Sequence, residues 1–228
     1  MSYRGKKLLQ IMQMASNYNN FVVNYILKSI GDRKIILDFG AGYGYFATLL
    51  REKKQLDITC VEIDEELNEH CQSLNFPVFD NLEQIEDSKF DFIYTLNVLE
   101  HIENDKQTLF LLKNKLKKGG KLFVYVPAFQ ILYSSFDKSI GHFRRYRKNN
   151  LTEFLTENGF EILTAKYIDS IGFLLALLYK ILNIENGKIS LFQVFIFDKI
   201  LFPIGKIFDK LTMGKFFGKN LIIEALLE

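Results

Sequence analysis

Cysteine is nearly absent from the chain: Cys60 and Cys71 are the only two in 228 residues, and their separation matches no metal-binding pair. That excludes a disulfide-stapled scaffold and a cysteine-ligated metal centre, and it fits a reduced, cytoplasmic setting. Cys60 lies in an apolar strand-like run, where a buried thiol is expected. Dense basic clustering is also missing, since 29 Lys and Arg nearly cancel 27 Asp and Glu to leave a net charge of +2. Nucleic acid is therefore not an expected partner. The opening "MSYRGKKLLQIMQMASNYNN" lacks the sustained apolar core and small-residue cleavage site of a secretory signal, and reads as one or two starting helices. No internal repeat and no low-complexity linker interrupts the chain, so residues 1–228 are expected to form one domain.

What is present is an alternation. "KIILDF", "DITCVEI", "FDFIYTL" and "KLFVYVP" are short runs rich in β-branched and aromatic residues, with a weaker "FPVF" between the second and third. Helix-length apolar spacing separates them, as in "DKQTLFLLKNKLKKGG", whose glycines suggest a helix C-terminus. The pattern predicts an α/β fold built on a mainly parallel sheet with helices on both faces. "GFEILTAKYI", after the helix "NLTEFLTENG", and the terminal "NLIIEALL" add two later strands.

The stretch "ILDFGAGYGYF", Ile36 to Phe46, ends the first strand in glycines. In open α/β sheets ligands sit beyond the carboxyl ends of strands, where glycine lets backbone approach and the next helix offers N–H groups to an anion. Gly40, Gly42 and Gly44 do not make the dinucleotide fingerprint, because Tyr45 stands where it requires glycine. The second strand runs into Glu62, about twenty residues further on, where a carboxylate can accept both hydroxyls of a ribose. A nucleoside-binding site is the combined expectation.

Asp38-x-Gly40-x-Gly42-x-Gly44, Glu62 and "FDFIYTLNVLEHIEND" together resemble the class I S-adenosylmethionine-dependent methyltransferases. The resemblance is strongest over Lys34 to Ala128 and implies a Rossmann-like, doubly wound, seven-stranded sheet ending in an antiparallel hairpin. It implies S-adenosylmethionine as cofactor. It further implies that Asp38, Gly40, Ala41, Gly42 and Gly44 face the methionine part, that Glu62 with Ile63 holds the ribose, and that Asp80 and Asn81 flank the adenine. Asn97 takes the position that lines the floor beneath the sulfonium. On this reading residues 1–30 are N-terminal helices, 34–128 the cofactor-binding core, 129–150 an acceptor loop and 169–220 an apolar helical insertion.

Methyl transfer needs alignment of an acceptor and exclusion of water, with no required metal or nucleophilic side chain. An acceptor hydroxyl still needs a base, and histidine is scarce. His70 lies in the charged helix "DEELNEHCQ" and reads as solvated surface; His101 follows "NVLE", where it could touch substrate or orient the next helix. "FDKSIGHFRRYRKNNL" puts His142, Arg144, Arg145 and Tyr146 together after the fifth strand. An imidazole beside two guanidiniums and a phenol is suited to gripping an anionic acceptor and taking its proton, with His142 as base. The plainer alternative is that the arginines pair with nearby acids. Asp137, Gly141, His142, Arg145 and Tyr146 also resemble the Asp-x-x-x-Gly-His-x-x-Arg-Tyr loop of a bacterial subgroup of these methyltransferases, although Phe136 departs from the histidine that many members carry before the aspartate. Cell-surface glycan or quinone-type metabolism is what that resemblance implies, with a small or lipid-linked acceptor methylated at oxygen.

Within 169–220, "IGFLLALLYKIL" is too short to cross a bilayer, and "FQVFIFDKILFPIGKIFDKL" is interrupted by charges at roughly helical spacing. Two readings stay open: a helical cap packed on the domain, or interfacial helices making peripheral membrane contact. Two rival functions also remain, a nicotinamide oxidoreductase, which Tyr45 disfavours, and a non-catalytic membrane-associated cofactor-binding protein.

Overall fold

The computed structural model describes residues 3–182, 190–212 and 214–228. A seven-stranded sheet in the order β3-β2-β1-β4-β5-β7-β6 organises them. Its strands are β1 (Ile35–Phe39), β2 (Asp57–Val61), β3 (Val78–Phe79), β4 (Phe90–Leu96), β5 (Leu116–Pro127), β6 (Phe160–Ile168) and β7 (Asn220–Leu227). The first five pair in parallel, whereas β7 runs antiparallel to both β5 and β6, which gives the expected hairpin. The central strands read as continuous apolar runs because both of their faces are covered. Leu37, Ile93 and Val124 enter a core on one face, and Ile36, Phe92 and Phe123 enter a second core on the other.

Helices α1 (Lys6–Met12), α2 (Ser16–Ile30), α3 (Tyr45–Lys53), α4 (Glu65–Ser73), α5 (Asp105–Lys115), α6 (Ser135–Ser139) and α7 (Lys148–Glu157) connect and flank the sheet. One boundary differs from expectation. Gly119 and Gly120 do not end α5, which stops at Lys115; they lie inside β5, where the pairing with β4 shifts register between Phe90 and Phe92. Glycine there serves an irregular strand rather than a helix cap.

The insertion forms α8 (Ser170–Ile181), α9 (Leu191–Ile196), a π-helical turn at Phe197–Leu201, and α10 (Phe202–Thr212). Asp198 and Asp209 of the insertion turn toward backbone donors. Asp198 accepts from the backbone N–H of Asn17 and Tyr18 at 3.2 and 2.9 Å, capping the start of α2, which has no side-chain cap of its own. Asp209 likewise accepts from the N–H groups of Asp169 and Ser170 at the start of α8. The charges that interrupt the apolar pattern therefore include two long-range helix caps.

Candidate active site

The glycine loop leaves β1 with Gly40, Gly42 and Gly44 all at positive φ, a conformation that L side chains rarely adopt. At Gly40 the constraint is also steric, since a Cβ would meet Val98 Cγ2 at 2.2 Å. Four of the loop's donors are used within the protein. Gly40 and Ala41 N–H both reach the Val61 carbonyl, Gly44 N–H reaches Ala41, and Gly42 N–H donates to Glu62 Oε2 at 2.8 Å. The N–H groups of Gly40, Ala41 and Gly42 tie the loop to the end of β2, and that of Gly44 closes a turn within the loop. An anion would find none of these four free.

Glu62 sits just past β2 and also accepts from Asp64 N–H at 2.9 Å. Two contacts leave room on a carboxylate that has about four acceptor positions, so two ribose hydroxyls fit. Burial raises its pKa above the ordinary value, against its hydrogen bonds from Asp64 and Gly42. Ile63 beside it is 65% exposed, an apolar face open to solvent. Asp38 is buried, receives the Tyr94 hydroxyl at 2.6 Å, and is pushed up to about 7 by burial. Asp80 and Asn81 are exposed beyond β3, and Asn81 caps the short helix at Leu82–Gln84. Asn97, at φ +53, is exposed just past β4, its N–H held by the Tyr125 carbonyl. These residues fit a nucleoside cofactor: a loop stripped of side chains, a carboxylate with spare acceptor capacity and an adjacent apolar face.

Sequence reasoning missed the segment that crosses this mouth. Tyr3 N–H donates to Asp64 at 2.8 Å, Lys6 pairs with Asp64 and Glu66, Gln10 reaches the Tyr43 hydroxyl, and the Tyr3 hydroxyl lies 3.4 Å from His101 Nε2. Leu9 is the neighbour that a side chain at Gly42 would touch. Nothing in the composition of this segment signals such a placement. Cys71 was also missed, and its thiol donates to the Gly42 carbonyl from beneath the loop.

Across the cleft, the loop after β5 brings His142 against Asp137, Nδ1 to Oδ1 at 2.8 Å. Arg145 grips the same carboxylate through Nε and Nη2 at 2.9 and 3.0 Å. Burial works to raise Asp137, but the bonds from His142 and Arg145 outweigh it and hold the carboxyl at about 2. Asp137 has no role in the sequence reading beyond its place in the loop motif, yet it is the hub of the loop. The loop's other candidate side chains are held within the protein. Arg144 pairs with Asp105 and the Glu103 carbonyl, and Tyr146 donates to Asp105 at 2.8 Å while its backbone extends the β5 edge. Both anchor the loop to α5, as the plainer alternative of arginines paired with acids describes. Arg145 Nη1 alone is buried without a partner among the described residues.

His101 closes the group. Its ring stands edge-on to His142 at 4.5 Å, and burial followed by repulsion from His142 lowers it to about 4. Glu100, fully buried and pushed up by burial to about 8, has neither carboxyl oxygen hydrogen-bonded among the described residues. Donor atoms of Glu100, His101 and His142 lie within 4.8 Å of one another, close enough for one small guest, an acceptor hydroxyl or a cation, to touch all three. His70 is on the surface, as expected, against Tyr43.

Residues 13–165 match the family model described as a methyltransferase domain. The ubiquinone biosynthesis O-methyltransferase, mitochondrial, of Dictyostelium discoideum is 38% identical over 72 residues, 29% of this chain but only 22% of that protein. An uncharacterised protein of Methanocaldococcus jannaschii is 27% identical over 212 residues, 90% of this chain and 85% of its own length. Among solved structures, a SAM-dependent methyltransferase from Archaeoglobus fulgidus superposes with a TM-score of 0.63 at 19% identity, covering 93% of this chain and 94% of that one.

Proposed function

Since the chain belongs to the methyltransferase-domain family and uses S-adenosylmethionine, we propose that it methylates a hydroxyl oxygen on a small or lipid-linked acceptor, with the proton taken by His142. The observation that carries this is the Asp137–His142 pair at 2.8 Å. An ionised Asp137 fixes the imidazole with its proton on Nδ1, so Nε2 presents a lone pair on the side of Glu100, 3.8 Å from its Oε1. A hydroxyl seated there gives its proton to Nε2 as its oxygen becomes nucleophilic. Arg145 is a positioning residue through Asp137, and its unpaired Nη1 offers one charged donor to an anionic group on the acceptor. The Dictyostelium relative, by name an O-methyltransferase, supports oxygen as the methylated atom.

The cofactor supplies a methyl group already activated by a positive sulfur. Asp38, Gly40, Ala41, Gly42, Gly44, Glu62 and Ile63 would hold it, with Asp80, Asn81 and Asn97 at the rim. The nicotinamide alternative fails on the family match.

The test incubates the protein and methyl-labelled S-adenosylmethionine with extracted small-molecule and lipid fractions, then identifies the labelled product. His142→Ala should lower turnover by roughly 10²–10⁴-fold, the usual contribution of a general base, with cofactor affinity by calorimetry unchanged. Near-normal turnover in that variant would remove the base, and label on nitrogen would remove the oxygen assignment.

A further inference from the structure

Fourteen of the twenty exposed large hydrophobic side chains among the described residues lie between Leu174 and Phe216. They follow helical periodicity on the outer side. Leu174, Leu178 and Ile181 form one stripe on α8, Ile204, Ile207 and Leu211 another on α10, and Leu191, Phe192 and Phe195 expose the apolar side of α9. A helix packed as a cap turns such a stripe inward; here the outward faces are apolar. Contiguous exposure on this scale marks an interaction surface.

Charge says what covers it. Asp169, Asp198 and Asp209 are spent on helix starts, and the first two are buried. The exposed charges on the described part of the insertion are Lys180, Lys199, Lys206, Lys210 and Lys215, of which Lys199 pairs with Asp198 at 2.9 Å. Lys206 and Lys210 stand on one flank of the α10 stripe. Beside that flank lies a groove of about 540 Å³ whose lining includes Lys28, Lys166 and Lys206 with Asn17, Asn20 and Asn24, and no acid. Apolar faces rimmed by lysine are complementary to a leaflet of anionic lipids, with side chains in the acyl boundary and ammonium groups at the phosphates. No helix among the described residues is long and apolar enough to cross a membrane.

We propose that α8, α9 and α10 form an interfacial docking surface for an anionic bilayer. The surface adjoins the acceptor side: Lys180 donates to the Ile131 and Tyr133 carbonyls, and the Tyr133 hydroxyl donates to the His142 carbonyl at 2.7 Å. Phe173 of α8 packs on Phe129 at the end of β5. An acceptor resident in the leaflet thus reaches the cleft along the protein's own apolar face. Membrane docking does not depend on the base assigned above.

The full chain is sedimented with vesicles of phosphatidylcholine alone and with vesicles that also contain phosphatidylglycerol. Binding is expected to the anionic vesicles and to weaken with salt. Phe192→Ser with Phe195→Ser should lower partitioning by roughly 100-fold, and Lys206→Glu with Lys210→Glu by roughly 10- to 100-fold. Calorimetric affinity for S-adenosylmethionine reports folding and should stay unchanged in both double variants. If the phenylalanine pair loses it, the lysine pair alone decides. Failure to sediment with either vesicle, equal binding by the lysine variant, or a stable dimer in solution that the phenylalanine variant dissociates would each overturn the proposal. Loss of methyl transfer with vesicle binding intact would instead count against the catalytic reading.

Discussion

On one side of the cleft, the N–H groups of Gly40, Ala41, Gly42 and Gly44 all end on protein oxygens; on the other, both oxygens of Glu100 and Nη1 of Arg145 end on no hydrogen-bond partner among the described residues. The cofactor side has these four donors satisfied, keeps acceptor capacity on Glu62, and owes its shape to missing side chains. The acceptor side carries buried polar atoms whose desolvation costs about 1–3 kcal/mol each until a guest supplies partners. A guest with hydroxyl or anionic groups recovers that cost and an apolar one does not. On the proposed reading, that difference would select for the polar end of an acceptor.

The most damaging way to test the finished side is Gly40→Ala. Positive φ and the 2.2 Å approach to Val98 should abolish measurable cofactor binding, and adding Val98→Ala should restore part of it. Unchanged affinity in the single variant would show that the loop tolerates a side chain. On the other side, Asp137→Asn leaves Arg145 without its counter-charge, so chemical denaturation should report a loss of about 3–5 kcal/mol, the range for breaking a buried pair. A much smaller loss would mean that the hub is dispensable. Glu62→Ala should weaken S-adenosylmethionine by about 1.5–3 kcal/mol in a calorimetric titration, the range for a charged hydrogen-bonding group.

The smallest effect is one of pH. Burial raises Asp169 from an ordinary value of 3.8 to about 6, so the folded protein keeps a proton that the unfolded chain has released. Its contribution to stability is present below 3.8 and is lost as pH rises through about 6. Asp169→Asn keeps a side-chain oxygen for the Gly172 N–H and tolerates the positive φ, so its thermal midpoint should fall less between pH 4 and 7, by roughly a few degrees. Parallel midpoint curves for wild type and variant would refute the linkage. Asp137, held at about 2, works with the opposite sign and only below its ordinary 3.8.

Strands, glycine loop and Glu62 were legible because their signals are local: an apolar run, a turn, an acid at the next strand end. The loop after β5 was legible in membership and not in pairing. Nothing in "GHFRRY" says that Arg145 returns to Asp137 while Arg144 and Tyr146 cross to Asp105, about forty positions upstream, because that choice is made by α5 packing beside the loop. Asp198 was harder still, since its partners at the start of α2 lie 180 and 181 residues away. Interrupting charges in an apolar segment carry no mark that distinguishes a solvated residue from a cap.

The strap of residues 3–12 bears on traffic through the cleft. Helix α1 buries none of its own side chains, and its ties to the glycine-loop side include the pairs of Lys6 with Asp64 and Glu66 and the contact of Gln10 with Tyr43. The Glu66 arm lies at the surface and is screened by added salt, whereas Asp64 is buried and holds the strap through both Lys6 and the Tyr3 N–H. If the Glu66 arm is what holds the strap over the glycine loop, release of bound S-adenosylmethionine should quicken with added salt, which stopped-flow release at low and high ionic strength measures.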